Sequence, residues 1–134
     1  MPQEAAQPHI PHALIVDDNE ILVGYLKRRI GAWPCLTATD LDAGLELARA
    51  YEPAVIALDN RLPDGLGLEL IAEFKKAAPG AIVMMISNVM DDEERALARQ
   101  RGAVVAWTKS NLQMVAEYII AVLSVRAAVP ASSG

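Results

Sequence analysis

The chain has 134 residues, 53% hydrophobic and 22% charged, a composition that belongs to one globular domain with a real core rather than to a disordered segment. A formal net charge of −5 argues against nucleic acid or an anionic membrane surface as the main partner. No stretch approaches the roughly 18 to 20 apolar residues of a membrane span, and the N-terminus lacks the basic start and apolar core of a signal peptide.

Residues 1–12, "MPQEAAQPHIPH", carry three prolines and no periodicity. They read as a flexible tail in which His9 and His12 are solvated. "ALIVD" (13–17) follows as a strand, and residues 19–31 as a helix with Ile21, Leu22, Tyr25, Leu26 and Ile30 at helical spacing. "CLTAT" (35–39) is a second, weaker strand. Its Cys35 is the only cysteine, so no internal disulfide can form; a buried structural thiol in a reducing cytoplasm is expected. "TDLD" (39–42) has the cap signature of a helix continued by Leu41, Leu45 and Ala48.

"AVIALD" (54–59) is a nearly continuous apolar strand, and residues 67–78 form a helix with Leu70, Ile71, Phe74 and Ala78 inward, ended by Pro79-Gly80. "AIVMMIS" (81–87) is the fourth strand. "DDEERALARQRG" (91–102) is a helix with acids at its positive end and Gly102 past its stop. "VVAW" (104–107) is the fifth strand, and residues 111–126 the last helix, after which "AAVPASSG" (127–134) reads as a second flexible tail or the start of a linker.

Five strands alternate with five helices, and the strands are apolar enough to be buried on both faces. The expected class is α/β: a five-stranded parallel sheet with helices on both faces, doubly wound and flavodoxin-like, spanning residues 13–126. Sites in such sheets lie outside the carboxyl ends of the strands, at a topological switch point. Strand 1 ends in Asp17-Asp18, strand 3 in Asp59 and strand 4 in Ser87, and strand 5 leads to Lys109.

Three close carboxylates are costly without a divalent cation, and an oxygen-only donor set suits Mg²⁺. A lysine and a hydroxyl beside them can hold phosphoryl oxygens. A carboxylate can itself be the nucleophile, giving an aspartyl-phosphate. Taken singly, Asp18 would be a helix cap, Ser87 a loop hydroxyl and Lys109 a surface charge. Five such residues, each at a strand's carboxyl end, make coincidence a poor account.

With "DD" (17–18), "LDNRLPDGLG" (58–67), "ISN" (86–88) and "GAVVAWTK" (102–109) in this order, the chain resembles the receiver domain of two-component response regulators over about residues 12–126. The resemblance implies a phosphorylation-dependent switch, not an enzyme acting on external substrates, with Asp59 as phosphoacceptor. It implies Mg²⁺ held by Asp18 directly, by Asp17 largely through water, by Asp59 and by the Arg61 backbone carbonyl, with Ser87 and Lys109 on the phosphoryl group. The implied partner is a sensor histidine kinase or histidine phosphotransfer protein in the cytoplasm, and no direct contact with nucleic acid or membrane is expected. A haloacid-type phosphatase would want Asp-x-Asp after the first strand, where "DDNE" stands. A pseudo-receiver scaffold would usually have lost the acids or the lysine.

Three positions depart from the family pattern. Ala106 stands where an aromatic residue usually takes part in switching, and Trp107, one residue on, should point to the opposite face. A signal is therefore expected to travel through the backbone of the 87–92 loop. Ser110 stands where a proline usually follows the lysine in a cis peptide, so a trans bond is expected here; Ser110 through Gln113 also fits a capping box. Arg61 is a charged side chain able to reach over the phosphate. The last helix is apolar nearly all round: Leu112, Val115, Ile119, Val122 and Leu123 should face the sheet, leaving Met114, Tyr118, Ala121 and Val125 as a second stripe. A homodimer through that helix is expected.

Overall fold

The computed structural model describes residues 10–128. Five strands, β1 (Ala13–Val16), β2 (Cys35–Ala38), β3 (Val55–Asp59), β4 (Ile82–Ser87) and β5 (Val105–Thr108), form one sheet in the order β2-β1-β3-β4-β5. Every pairing within it is parallel. The helices are α1 (Glu20–Ile30), α2 (Leu41–Tyr51), α3 (Ile71–Ala77), α4 (Asp92–Gln100) and α5 (Leu112–Ala128). The chain runs outward from β1 to β2, then returns past β1 to β3. That reversal puts the switch point between β1 and β3, whose carboxyl ends carry Asp17 and Asp59.

Side chains alternate across each strand, so one sheet builds two cores. Leu14, Val16, Ile56, Leu58 and Met85 pack with Leu45, Ile71, Phe74 and Ala98 of α2, α3 and α4. Ala13, Ile15, Ala57, Met84 and Ile86 pack with Leu22 and Leu26 of α1 and with Ile119 and Leu123 of α5. The apolar strand runs have this cause: both faces of the sheet are covered.

Local chemistry starts and stops the helices. Asn19 caps α1, its side chain accepting from the Ile21 and Leu22 amides at 3.1 and 3.2 Å. Lys27, Arg28 and Arg29 sit at the negative end of that helix, and Gly31, with φ 72°, ends it. The buried line along α1 is Leu22, Leu26 and Ile30. Ile21, expected inward, is 86% exposed, since one residue of helix turns it about 100° away from that line.

The N-cap of α2 is Asp40, one residue after the Thr39 that its cap signature pointed to, and Asp40 accepts from the Ala43 amide at 2.8 Å. Asp91 and Glu94 form a capping box on α4. α3 is preceded by a 3-10 turn over Gly67–Leu70, so the expected helix begins four residues late.

The last helix starts differently from expectation. A 3-10 turn over Lys109–Asn111 leads into it. The Ser110 hydroxyl shares a hydrogen bond of 2.6 Å with Thr108, while Gln113 donates to Glu117. The capping box is therefore not formed, because both of its side chains are engaged elsewhere. The Lys109–Ser110 peptide is trans, as is every other among the described residues.

The packed chain also reaches slightly beyond the expected limits. Pro11 is buried, the His12 ring stacks on Tyr51 with centroids 5.9 Å apart, and the His12 carbonyl accepts from the Ala54 amide at 2.8 Å. Ala127 and Ala128 continue α5; His9 and residues 129–134 lie outside the described residues. Cys35 is a free, half-buried thiol, and burial pushes its pKa up to about 11. Among the described residues, no helix is long and apolar enough to cross a membrane.

Candidate functional site

At the carboxyl edge of the sheet, β1 and β3 bring three acids together. Asp17, Asp18 and Asp59 each offer a carboxylate oxygen, and these atoms lie within 4.8 Å of one another. Asp17 is 1% and Asp59 4% exposed, while Asp18 is open to solvent. Asp17 Oδ1 accepts from the Asn19 amide at 2.9 Å, which orients it just ahead of α1. Its Oδ2 is buried with no hydrogen-bond partner of good geometry; what it has is an ion-pair contact.

That contact comes from Lys109, at the end of β5. Its Nζ lies 2.9 Å from Asp17 Oδ2 and 3.2 Å from Asp59 Oδ2. One ammonium therefore serves two buried carboxylates, with a third beside them. Burial, and then the charge of Asp17, raise the Asp59 pKa from 3.8 to about 6 against the pull of Lys109. For Lys109, burial pulls the pKa down, but Asp17 and Asp59 outweigh it, and the ammonium is held more firmly than usual. The cluster is short of positive charge. A hard divalent cation fits it, since its donors are carboxylate oxygens and one of them is buried and unsatisfied.

The loop after β3 is shaped to keep Asp59 at the edge. The buried Asn60 side chain accepts from the Leu68 amide at 2.9 Å, and its carbonyl accepts from the Gly67 amide at 2.7 Å. These bonds close a small hairpin, Arg61–Leu62 against Gly65–Leu66. A Cβ on Gly67 would collide with the Asp59 carbonyl, so only glycine fits there. Arg61 is exposed on this hairpin.

Ser87, 3% exposed, ends β4 beside β3. Its hydroxyl donates to the Val89 carbonyl at 2.9 Å, engaging its own loop. Of the remaining candidates, Ala106 is buried in the core beneath α2–α4. Trp107 packs on the opposite side, its ring 5.5 Å from that of Tyr118, as strand alternation required. Met114 and Val125 are exposed large apolar residues of α5, Tyr118 is half-buried and Ala121 exposed.

Two participants were not legible in the sequence. Asp64, on the hairpin, accepts from the Leu41 and Asp42 amides at 2.9 and 3.1 Å, and these bonds lower its pKa. It thereby ties the loop after Asp59 to the start of α2. Arg95 of α4 donates through Nε to the Ala106 carbonyl at 3.1 Å. Only the Asp-Gly turn signal of "PDG" hinted at the first; nothing local hinted at the second.

Comparison with known proteins shows the family and the fold. The family described as "Response regulator receiver domain" matches residues 13–119. The probable transcriptional regulatory protein TcrX of Mycobacterium tuberculosis is 32% identical over 84 residues, 61% of this chain and 36% of that protein; the chain thus matches well under two thirds of this relative's length. A response regulator from Burkholderia pseudomallei, solved with a phosphorylated aspartic acid, calcium ion and citrate, superposes with a TM-score of 0.74 at 28% identity, covering 87% of this chain and 68% of that one. A CheY-like receiver domain protein from Methanospirillum hungatei gives a TM-score of 0.78 at 23% identity, covering 87% and 96%.

Proposed function

This chain belongs to the response regulator receiver domain family, a family of phosphoacceptor switches in two-component signalling, and on that premise we propose that Asp59 is its phosphoacceptor. The observation that carries the reading is the shared ammonium: Lys109 Nζ within 3.2 Å of Asp59 and 2.9 Å of Asp17, at a sheet edge with three converging carboxylates.

The donor is a phosphohistidine on a sensor kinase or phosphotransfer protein. An Asp59 carboxylate oxygen forms the new O–P bond while the P–N bond breaks, and the electron pair leaves on the imidazole nitrogen. Lys109 can turn from the carboxylates to a phosphoryl oxygen without leaving its place, since it already bridges Asp17 and Asp59. Ser87 can offer its hydroxyl to another oxygen once it releases the Val89 carbonyl. Asp17, Asp18, Asp59 and the Arg61 carbonyl would hold Mg²⁺, which when bound neutralises charge on the transferred group. The same groups assist loss of the phosphoryl group to water, so the chain tunes its own lifetime without acting on external substrates. Such partners imply a cytoplasmic setting.

The test is intact mass after exposure to acetyl phosphate, with Mg²⁺ and with chelator. Wild type should gain one phosphoryl group in Mg²⁺ only, and Asp59→Asn none. Steady release of phosphate from an external ester would mark a phosphatase instead, and no modification under any condition would mark a scaffold. A homodimer through α5 completes the reading, supported by the exposure of Met114, Ala121 and Val125 along one stripe of that helix.

A further inference from the structure

The hairpin after β3 is pinned at both ends. At its base the Asn60 side chain accepts from the Leu68 amide at 2.9 Å, and the Asn60 carbonyl from the Gly67 amide at 2.7 Å. At its tip Asp64 reaches across to helix α2. Its Oδ1 accepts from the Leu41 amide at 2.9 Å and its Oδ2 from the Asp42 amide at 3.1 Å. Leu62, between base and tip, is buried in the same core as Leu41. Arg61, the first residue of the hairpin, therefore lies on a segment held from two sides.

These bonds go beyond the needs of α2 alone. The helix has its own N-cap in Asp40, whose side chain accepts from the Ala43 amide at 2.8 Å. The two amides before Ala43 have no partner within the helix, and at an exposed helix end water can serve them. A carboxylate 23 residues from Leu41 takes both instead, and bonds to an ionised acceptor are the stronger kind. The hairpin also touches the helix: a Cβ on Gly65, whose φ is 149°, would come within 3.3 Å of Leu41 Cδ1. Hairpin tip and helix start thus move as one piece.

We propose that Asp64 is a positioning residue for the cation: by clamping the hairpin tip to α2 it fixes the backbone of Arg61, so that cation binding and the first turn of α2 stabilise each other. This rests on the reading above in which the Arg61 carbonyl belongs to the Mg²⁺ donor set; the clamp itself does not. A carbonyl on a loose hairpin must be ordered when a cation arrives, which costs conformational entropy. Asp64 orders it beforehand. Linkage makes the effect reciprocal: the factor by which the clamp raises cation affinity is the factor by which bound cation favours the closed clamp. Helix α2 thereby senses whether the site is filled, by a route through the hairpin alone. Asp64 acts at one remove, since it is not among the acids that converge at the sheet edge.

Two measurements on the full chain test it: calorimetric titration with MgCl₂, and amide hydrogen exchange with and without Mg²⁺. In wild type, saturating Mg²⁺ should slow exchange of the Leu41 and Asp42 amides about fivefold, and Asp64→Ala should raise the Mg²⁺ Kd by the same factor. Asp64→Asn removes the same charge but keeps one acceptor oxygen, so its Kd should fall between the two. Asp40→Ala removes an acid and the Ala43 bond from the same helix end without touching the hairpin, and its Kd should stay within about twofold of wild type. An unchanged Kd in Asp64→Ala, or an equal rise in Asp40→Ala, overturns the positioning role. Leu41 and Asp42 exchange that ignores Mg²⁺ in wild type overturns the link to α2. A wild type that takes up no Mg²⁺ overturns the metal reading and the coupling built on it. The clamp is judged separately in chelator, where Leu41 and Asp42 amides exchanging as fast in wild type as in Asp64→Ala overturn it.

Discussion

Asp17 and Asp59 share a single ammonium, and that charge balance governs how the site behaves with pH. The Asp59 pKa is raised from 3.8 to about 6, by burial first and by Asp17 second. The unfolded chain gives up this proton near 3.8 and the folded chain near 6. The associated stability is therefore fully present below about pH 3.8 and lost as the pH rises through about 6. Above that window the cation-free fold carries a penalty on the order of 3 kcal/mol. Asp59→Asn should remove the penalty: in chelator, it should be the more stable protein at pH 7.5, with the advantage shrinking toward pH 4. Urea unfolding at both pH values measures this, and a wild type at least as stable as the variant at pH 7.5 would contradict it. Added Mg²⁺ should stabilise wild type more than the variant, because the cation supplies the missing positive charge.

Helix α1 contains Gly24 at its centre, where a glycine costs helix stability without an evident packing need. A Cβ there would meet only the flexible end of Arg28, at 3.4 Å. Gly24→Ala should therefore stabilise the fold by about 0.5–1 kcal/mol, read as a higher urea midpoint at unchanged slope. Gly44 of α2 is the opposite case. A Cβ there would lie 2.9 Å from Val16 Cγ2 and 3.2 Å from the Phe74 ring, so the helix packs on the sheet only without one. Ser110→Ala should cost well under the ~1 kcal/mol of a true N-cap, since its hydroxyl bonds Thr108 and caps nothing; a loss of a full kcal/mol would point back to capping. Asp64→Ala should loosen the first turn of α2, seen as faster exchange of the Leu41 and Asp42 amides that it now holds.

The molecule as a whole buries one face of α5 and leaves another open. Val115, Ile119, Val122 and Leu123 are buried as the pattern required, joined by Ala116, while Leu112 is only half-buried. Val125 is 64% exposed, and it serves as a better probe of association than Tyr118, whose ring also supports Trp107. Val125→Glu should weaken self-association at least tenfold, about 1.4 kcal/mol, without lowering the unfolding midpoint of the monomer. Light scattering across a concentration series decides it. A wild-type monomer at all concentrations, loaded and unloaded, would remove the dimer.

The order of elements, the parallel sheet and the five residues at its carboxyl edge were legible in the chain because their signals are local. Apolar runs of strand length, helical spacing, caps and acids at strand ends all lie within a few neighbours of the residue they describe. What lay beyond reach depends on partners distant in sequence. The first amides of α2 are held by Asp64, 23 residues from Leu41, while Arg95 reaches 11 residues to the Ala106 carbonyl and Arg101 reaches 33 to that of Leu68. Ile21 carries the same apolar character as Leu22, yet only the placement of α1 on the sheet turns one outward and the other in. Ser110 satisfies a capping pattern in letters, and the proximity of Thr108 took its hydroxyl instead. Periodicity specifies which face of an element is apolar; which polar group meets which is set by packing, since a side chain bonds the nearest partner that the assembled fold brings to it.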